Sequence, residues 1–220
     1  MARRALTQEQ IVEKLNAIPT FAVVNALKQL MPSTDITDVD SVTWFTDAAD
    51  AKGALALAQA RSPSIDLRLG VTPLGTAFAL VEGWMSSASS CPLRLQASQL
   101  VAKSFADTLQ NQLENHGLDS GTWQLPIFSC DELQSPRMMP LFLSRGDMTA
   151  MWEAAGRPKD ALPGSVTVME LRLLVAQMQT DAFDWSIVQF ITPEASASLA
   201  QAAHDWAAKI DPSDEPPALQ

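Results

Sequence analysis

Two histidines, His116 and His204, and two cysteines, Cys91 and Cys130, are the only groups of their kind that this 220-residue chain offers for proton transfer, nucleophilic attack or metal ligation. His116 precedes Gly117 at a predicted helix end, where a basic side chain suits the negative pole of the helix dipole. His204 lies beside an apolar helical stripe and reads as exposed. Two thiols and two imidazoles so far apart in sequence do not make a structural zinc site, and their spacing does not establish a disulfide. They read as free thiols, buried or partly buried. No His-Glu-x-x-His or Gly-x-Ser-x-Gly motif occurs. The nine glycines are scattered, which leaves no phosphate-cradling loop. The carboxylates Asp38 and Asp40 fall in a turn-like segment and read as solvated. Catalysis, a metal and a cofactor are therefore not expected.

The chemically distinctive residues are apolar. Trp84 and Met85 lead into a small, polar run, Ser86 to Cys91, and a large aromatic there either anchors its loop or meets a partner. Met138, Met139, Met148, Met151 and Trp152 form a second group. Methionine adapts to irregular apolar surfaces and recurs where partners vary. Met148, Met151 and Trp152 also sit at helical spacing, so packing on a sheet accounts for them equally well. These seven residues are the candidate protein-binding set.

The elements that would position them begin with a charge and composition compatible with a folded core: 47% hydrophobic residues, 18% charged, and a net charge of −10. Fifteen basic against twenty-five acidic residues, with no basic run beyond Arg3-Arg4, disfavour a nucleic-acid partner. No apolar stretch approaches the roughly 20 residues of a spanning helix. Leu162 to Met178 is broken by Pro163, Glu170 and Arg172. Met1 to Gln10 is polar and runs straight into a helix pattern, unlike a secretory signal.

Thr7 with Gln10 is a capping-box pattern ahead of a helix from Gln8 to about Asn16. A strand enters at Ile18-Pro19-Thr20-Phe21, and Pro32 to about Asp40 forms a long turn into a strand at Val42-Thr43-Trp44-Phe45. Asp47 caps a helix whose stripe is Ala51, Ala54, Leu55 and Ala58. A strand at Leu67–Val71, a short helix opened by Thr72-Pro73, a brief strand at Leu93–Leu95 and a helix from about Ala97 to Asn115 complete the unit, with Gly117 as its stop. Then the pattern returns. Leu125-Pro126-Ile127-Phe128 repeats Ile18-Pro19-Thr20-Phe21. Pro140 to Ser144 repeats Thr43 to Asp47, and Met148, Met151, Trp152 and Ala155 fall in the frame of Ala51, Ala54, Leu55 and Ala58. Ser165-Val166-Thr167-Val168 answers Gly70-Val71-Thr72, the helix Met169–Met178 answers the one after Pro73, and Ile187–Ile191 answers Leu93–Leu95. A last helix opens at Thr192-Pro193-Glu194, with the stripe Ala195, Leu199, Ala202, Trp206 and Ile210. A period of about 95–105 residues with six elements in one order predicts an internal duplication.

The fold class is mixed α/β: a mixed sheet covered by helices, in two tandem pseudo-symmetric repeats. Residues 1–117 hold the first repeat with its N-terminal helix, residues 121–210 the second, and 211–220 a loose tail. Phe21, Phe45, Phe128 and Phe142 are expected in the core. Bulk in the second repeat where the first is small predicts a concavity on one side, a filled face on the other and an asymmetric binding surface.

This arrangement of an Ile/Leu-Pro-x-Phe strand, a hairpin, an aromatic strand, a Ser/Asp-x-x-Asp cap and two further strand–helix pairs, all duplicated, resembles the family of the 22-kilodalton component of the Tic translocon. The resemblance runs over roughly Glu13 to Ala208. It implies a butterfly-shaped, non-enzymatic, chaperone-like protein of plastid protein import, placed in the chloroplast envelope intermembrane space, with apicoplast and cyanobacterial relatives. Its partners would be unfolded precursors or translocon subunits, and it would be soluble or peripheral to the membrane. An accessory subunit docked on an organellar membrane complex, including a photosynthetic one, is the other role considered.

Overall fold

The computed structural model describes residues 4–34, 40–119, 121, 123–158 and 166–209. The first helix, α1 (Gln8–Leu15), opens at the expected capping box: the Thr7 N–H donates to Gln10 Oε1 at 3.0 Å and Thr7 Oγ1 accepts from the Gln10 N–H. The strand β1 (Pro19–Asn25) then runs antiparallel to both β3 (Asp40–Phe45) and β4 (Leu67–Pro73), and β5 (Leu93–Gln96) lies parallel to β3. The sheet order is β4-β1-β3-β5, with the two-residue β2 (Ser33–Thr34) paired to the start of β3. Two helices connect these strands, α2 (Ala48–Arg61) and α3 (Leu74–Val81), and α4 (Gln99–Asn115) follows β5.

The second repeat reproduces the layout with β6 (Pro126–Cys130), β7 (Met139–Phe142), α5 (Arg145–Ala154), β8 (Val166–Glu170), α6 (Leu171–Met178), β9 (Val188–Ile191) and α7 (Glu194–Lys209). Its order is β8-β6-β7-β9, with the same antiparallel and parallel pairings. Phe21 faces Phe45 and Val71 across its strand, as Phe128 faces Phe142 and Val168. The Leu74 N–H donates to the Ile18 carbonyl at 2.8 Å, and Leu171 repeats this with Leu125 at 2.9 Å. The two sheet units are thus copies of one pattern.

Three details correct the sequence reading. Val168, not Val166, answers Val71, because β8 extends to Glu170; Met169 and Glu170 end a strand and do not begin a helix. Thr72 and Pro73 likewise finish β4, with Pro73 at the N-cap of α3. Among the side chains described on α7, Ser196, Leu199, Ala200 and Ala203 are covered, while Ala195 and Ala202 are exposed; the side chain of Trp206 lies outside those described. Ile210 lies outside the described residues.

Strand alternation explains the layering. Ala22, Trp44 and Leu95 turn one way and Ile127, Leu141 and Phe190 turn to meet them, forming one central cluster with Ile11 and Leu15 of α1, Phe78 of α3 and Leu174 of α6. Gly75 makes the α1–α3 crossing possible: a Cβ there would stand 2.0 Å from the Val12 carbonyl oxygen. On the outer faces the repeats exchange helices. Leu199 and Ala200 of α7 pack with Phe21, Phe45 and Ala51 of the first repeat. Val101 and Phe105 of α4 pack with Phe128, Phe142, Met148 and Trp152 of the second. The Ser196 hydroxyl donates to the Thr46 carbonyl and the Gln112 amide to the Val168 carbonyl, fixing both crossings. The small side chains of α2 are therefore the seat of α7, which fills the space beside Ala51. Among the described residues, no helix is long and apolar enough to cross a membrane.

Candidate protein-binding surface

The helix α3 ends at Val81 with Glu82 as its C-cap, and Gly83 takes a positive φ of 71° so that the chain turns sharply. The Met85 N–H donates back to the Ala79 carbonyl at 3.0 Å, which fixes the two residues after the turn. Trp84 is half-buried, its ring meeting Phe78 edge-on at 5.2 Å. Met85 is 47% exposed. One residue is thus an anchor and its neighbour projects apolar area into water. The following run is held locally, with the Ser89 hydroxyl accepting from the Cys91 N–H.

Met138 and Met139 follow a tight turn closed by the Ser135 N–H on the Met138 carbonyl at 2.8 Å. Both are half-buried. Met139 opens β7 opposite Val188 and packs on the periphery of the central cluster, as Trp84 does. Met148 and Trp152 are buried in the outer layer of the second repeat, with half-buried Met151 beside them. The Trp152 indole N–H donates to the Pro158 carbonyl at 3.0 Å, and the Arg157 guanidinium lies 4.5 Å over its ring. Leu27 and Leu100, at 74% and 80% exposure, are apolar surface residues that helical or strand spacing did not single out.

Sequence reasoning also missed a buried ionic node. Glu170 occupies the place of Pro73 and is fully buried. Its carboxylate accepts from the Leu125 N–H at 3.2 Å and the Arg172 N–H at 2.6 Å. Arg172 Nε stands 3.5 Å from it, while the guanidinium donates to the Asp119 and Trp123 carbonyls and stacks 4.7 Å over the Trp123 ring. Burial pushes the Glu170 carboxyl above the ordinary range, and the Arg172 cation and the backbone donors pull it partly back. Read as a helical residue, Glu170 carried no sign of burial; its position at a strand end is what buries it. The node ties the segment between repeats to β8 and the end of α4.

The histidines are both exposed, His116 on the cap of α4 with Nδ1 2.8 Å from the Gln112 carbonyl. Cys91 is half-buried and Cys130 buried, both as free thiols. Burial raises the Cys130 thiol, so the nucleophilic thiolate is disfavoured.

The duplicated sheets, their exchanged helices and the strand order agree with a family pattern that matches residues 1–204, that of the Tic22-like family. The chain belongs to the Tic22-like family. Its fold is similar to that of Tic22 from Plasmodium falciparum, with a TM-score of 0.62 at 17% identity over 89% of this chain and 98% of that one. It is also similar to Tic22 from Anabaena, described as a protein of protein transport, with a TM-score of 0.55 at 13% identity over 96% of this chain and 100% of that one. At such identities the likeness establishes the shared Tic22 fold. No curated protein sequence matches the chain significantly.

Proposed function

We propose that this chain is a non-enzymatic, chaperone-like component of protein transport in a plastid, acting in the envelope intermembrane space on unfolded protein segments. The observation that carries the reading is the apolar rim around the central core. Met85 is exposed beside half-buried Trp84, and Met138 and Met139 lie half-buried at the start of β7. Thioether and indole surface at the edge of a rigid core binds varied apolar segments with little ordering cost. Membership of the Tic22-like family and the protein-transport role of the Anabaena relative support the same reading.

The test is suppression of aggregation of thermally unfolded citrate synthase, followed by light scattering, with the full chain at increasing ratio. Suppression that weakens in Met85→Ser and Met139→Ala is expected. Unchanged scattering at every ratio would overturn the reading. Size-exclusion of the endogenous protein adds the second arm: a carrier elutes as a small species, whereas comigration with a membrane complex would make it a docked subunit.

A further inference from the structure

The strand β4 ends its sheet: among the described strands it pairs with β1 alone. The Leu74 N–H donates to the Ile18 carbonyl at 2.8 Å, one step beyond the Pro19–Pro73 pair of the register. Antiparallel alternation then turns the backbone of Arg68, Gly70 and Thr72 toward β1, and that of Leu67, Leu69, Val71 and Pro73 away from it. Two side chains agree with this phase. The Thr20 hydroxyl of β1 donates to the Thr72 carbonyl, and the Gln59 amide donates to the Leu67 carbonyl at 3.0 Å from α2.

The second repeat closes the corresponding edge with a side chain. Val168 and Glu170 of β8 stand where Val71 and Pro73 do. Gln112 of α4 donates to the Val168 carbonyl at 2.9 Å and accepts from the Glu170 N–H at 3.0 Å, as a neighbouring strand would. On β4, Gln59 reaches only Leu67. Among the described residues, the outward N–H and carbonyl groups of Leu69 and Val71 have no partner. Residues Arg68 to Thr72 are half-buried, at the margin of the fold and not within its core. An open edge of this kind is a template for another strand.

The edge complements itself. When two copies run antiparallel about a twofold axis at Gly70, Leu69 of each stands opposite Val71 of the other, and each such pair exchanges two backbone hydrogen bonds. Pro73, which has no N–H, falls opposite Leu67, whose carbonyl Gln59 already engages. The missing donor thus meets an acceptor that is already in use. Arg68 faces Thr72, so no like charges are opposed. Leu69 and Val71 both pack beside Phe21 on the outer face, so the pairing also joins two apolar rows.

We infer that a second copy of this chain pairs with the β4 edge in this register, which joins the first-repeat sheets of two copies into one across a twofold axis. The self-matching of Leu69 with Val71 and of Pro73 with the engaged Leu67 carbonyl selects that occupant over a foreign strand.

The experiment is sedimentation equilibrium of the full chain over a concentration series, wild type beside Leu69→Pro. The wild type is expected to approach twice the chain mass as concentration rises. Proline at position 69 removes a donor that points away from β1, so the β1 ladder is kept. It deletes one bond from each Leu69–Val71 pair and should raise the dimer Kd about tenfold. A register test stands beside it in case that variant does not fold. Chains carrying Arg68→Cys and Thr72→Cys, each with Cys91→Ser, are mixed in a glutathione redox buffer. These positions form a non-hydrogen-bonded pair, with Cα atoms about 4.5 Å apart, within disulfide reach. A disulfide-linked dimer should form in the mixture and in neither variant alone. A wild type that stays monomeric throughout, a dimer indifferent to a folded Leu69→Pro, or cross-linking as strong in either variant alone would overturn the inference. So would a monomer whose Leu69 and Val71 amides respond to an extended Thr-Val-Thr-Val-Thr peptide, which would assign the edge to a foreign strand.

Discussion

The ring of Phe105, on the last helix of the first repeat, meets the ring of Phe128 in the second repeat's sheet edge-on, with centroids 5.4 Å apart. Leu199 and Ala200 make the reciprocal crossing onto Phe21 and Phe45. Each outer face is thus completed by the other repeat, while the inner faces share one cluster. The two repeats should unfold together. Phe105→Ala is expected to cost up to about 3 kcal/mol, the lower end for a phenylalanine because the ring is only half-buried. The indole signals of Trp44 in the first repeat and Trp152 in the second should be lost at one shared, lowered denaturant midpoint. Separate midpoints would show that the exchange does not couple the halves.

The predicted helix caps are in place. Asp47 Oδ1 accepts from the Ala49 and Asp50 N–H groups, both at 2.9 Å, and Ser144 Oγ accepts from the Asp147 N–H at 3.0 Å. Asp47→Ala and Ser144→Ala should each cost about 0.5–2 kcal/mol. Asp47→Asn and Ser144→Thr should restore most of it. Denaturant midpoints at constant slope check both, and a neutral alanine at either position contradicts the capping account.

Burial raises the Glu170 carboxyl, and the direction of its effect on stability follows. Between the ordinary glutamate value, about 4.3, and its higher value in the fold, the folded chain binds more protons than the unfolded one. Stability from this group is therefore full below that window and falls as pH rises through it. Glu82 shares the Arg172 cation, so the wild type should be compared with Glu170→Gln across pH. The wild type should lose stability relative to the variant as pH climbs through the window, and a difference that is flat or of opposite slope contradicts the assignment.

The order of strands and helices, the paired phenylalanines and both caps were legible because each rests on local spacing: Pro-x-Phe at a strand entry, or an oxygen three residues ahead of a free N–H. The helix exchange was not. The stripe Val101, Phe105, Leu109 and Leu113 shows that one face of α4 is apolar, but nothing in a period of 3.6 says which sheet that face will cover. Leu109 and Leu113 are fully buried, and α4 packs against β6, β8 and α6 of the second repeat. Glu170 was hidden by a two-residue error in where β8 ends, since a charged residue reads as exposed on a helix and as buried only once its strand neighbours are known. Met148, Met151 and Trp152 show the same limit, because helical spacing fits a packed stripe and a binding stripe alike.

The central claim is that this Tic22-like chain binds unfolded segments through apolar area at Trp84–Met85 and Met138–Met139. Suppression of citrate synthase aggregation across a salt series, with Trp84→Ala and Met139→Ala beside the wild type, tests it most directly. Burial of a large apolar side chain contributes about 1.5–3 kcal/mol, whereas salt screens only exposed charges at the rim. Each substitution should raise the ratio needed for half-suppression about tenfold, and the wild type should hold its ratio from low to high salt. Suppression that collapses with salt while both variants match the wild type would contradict the account and assign recognition to the acidic surface.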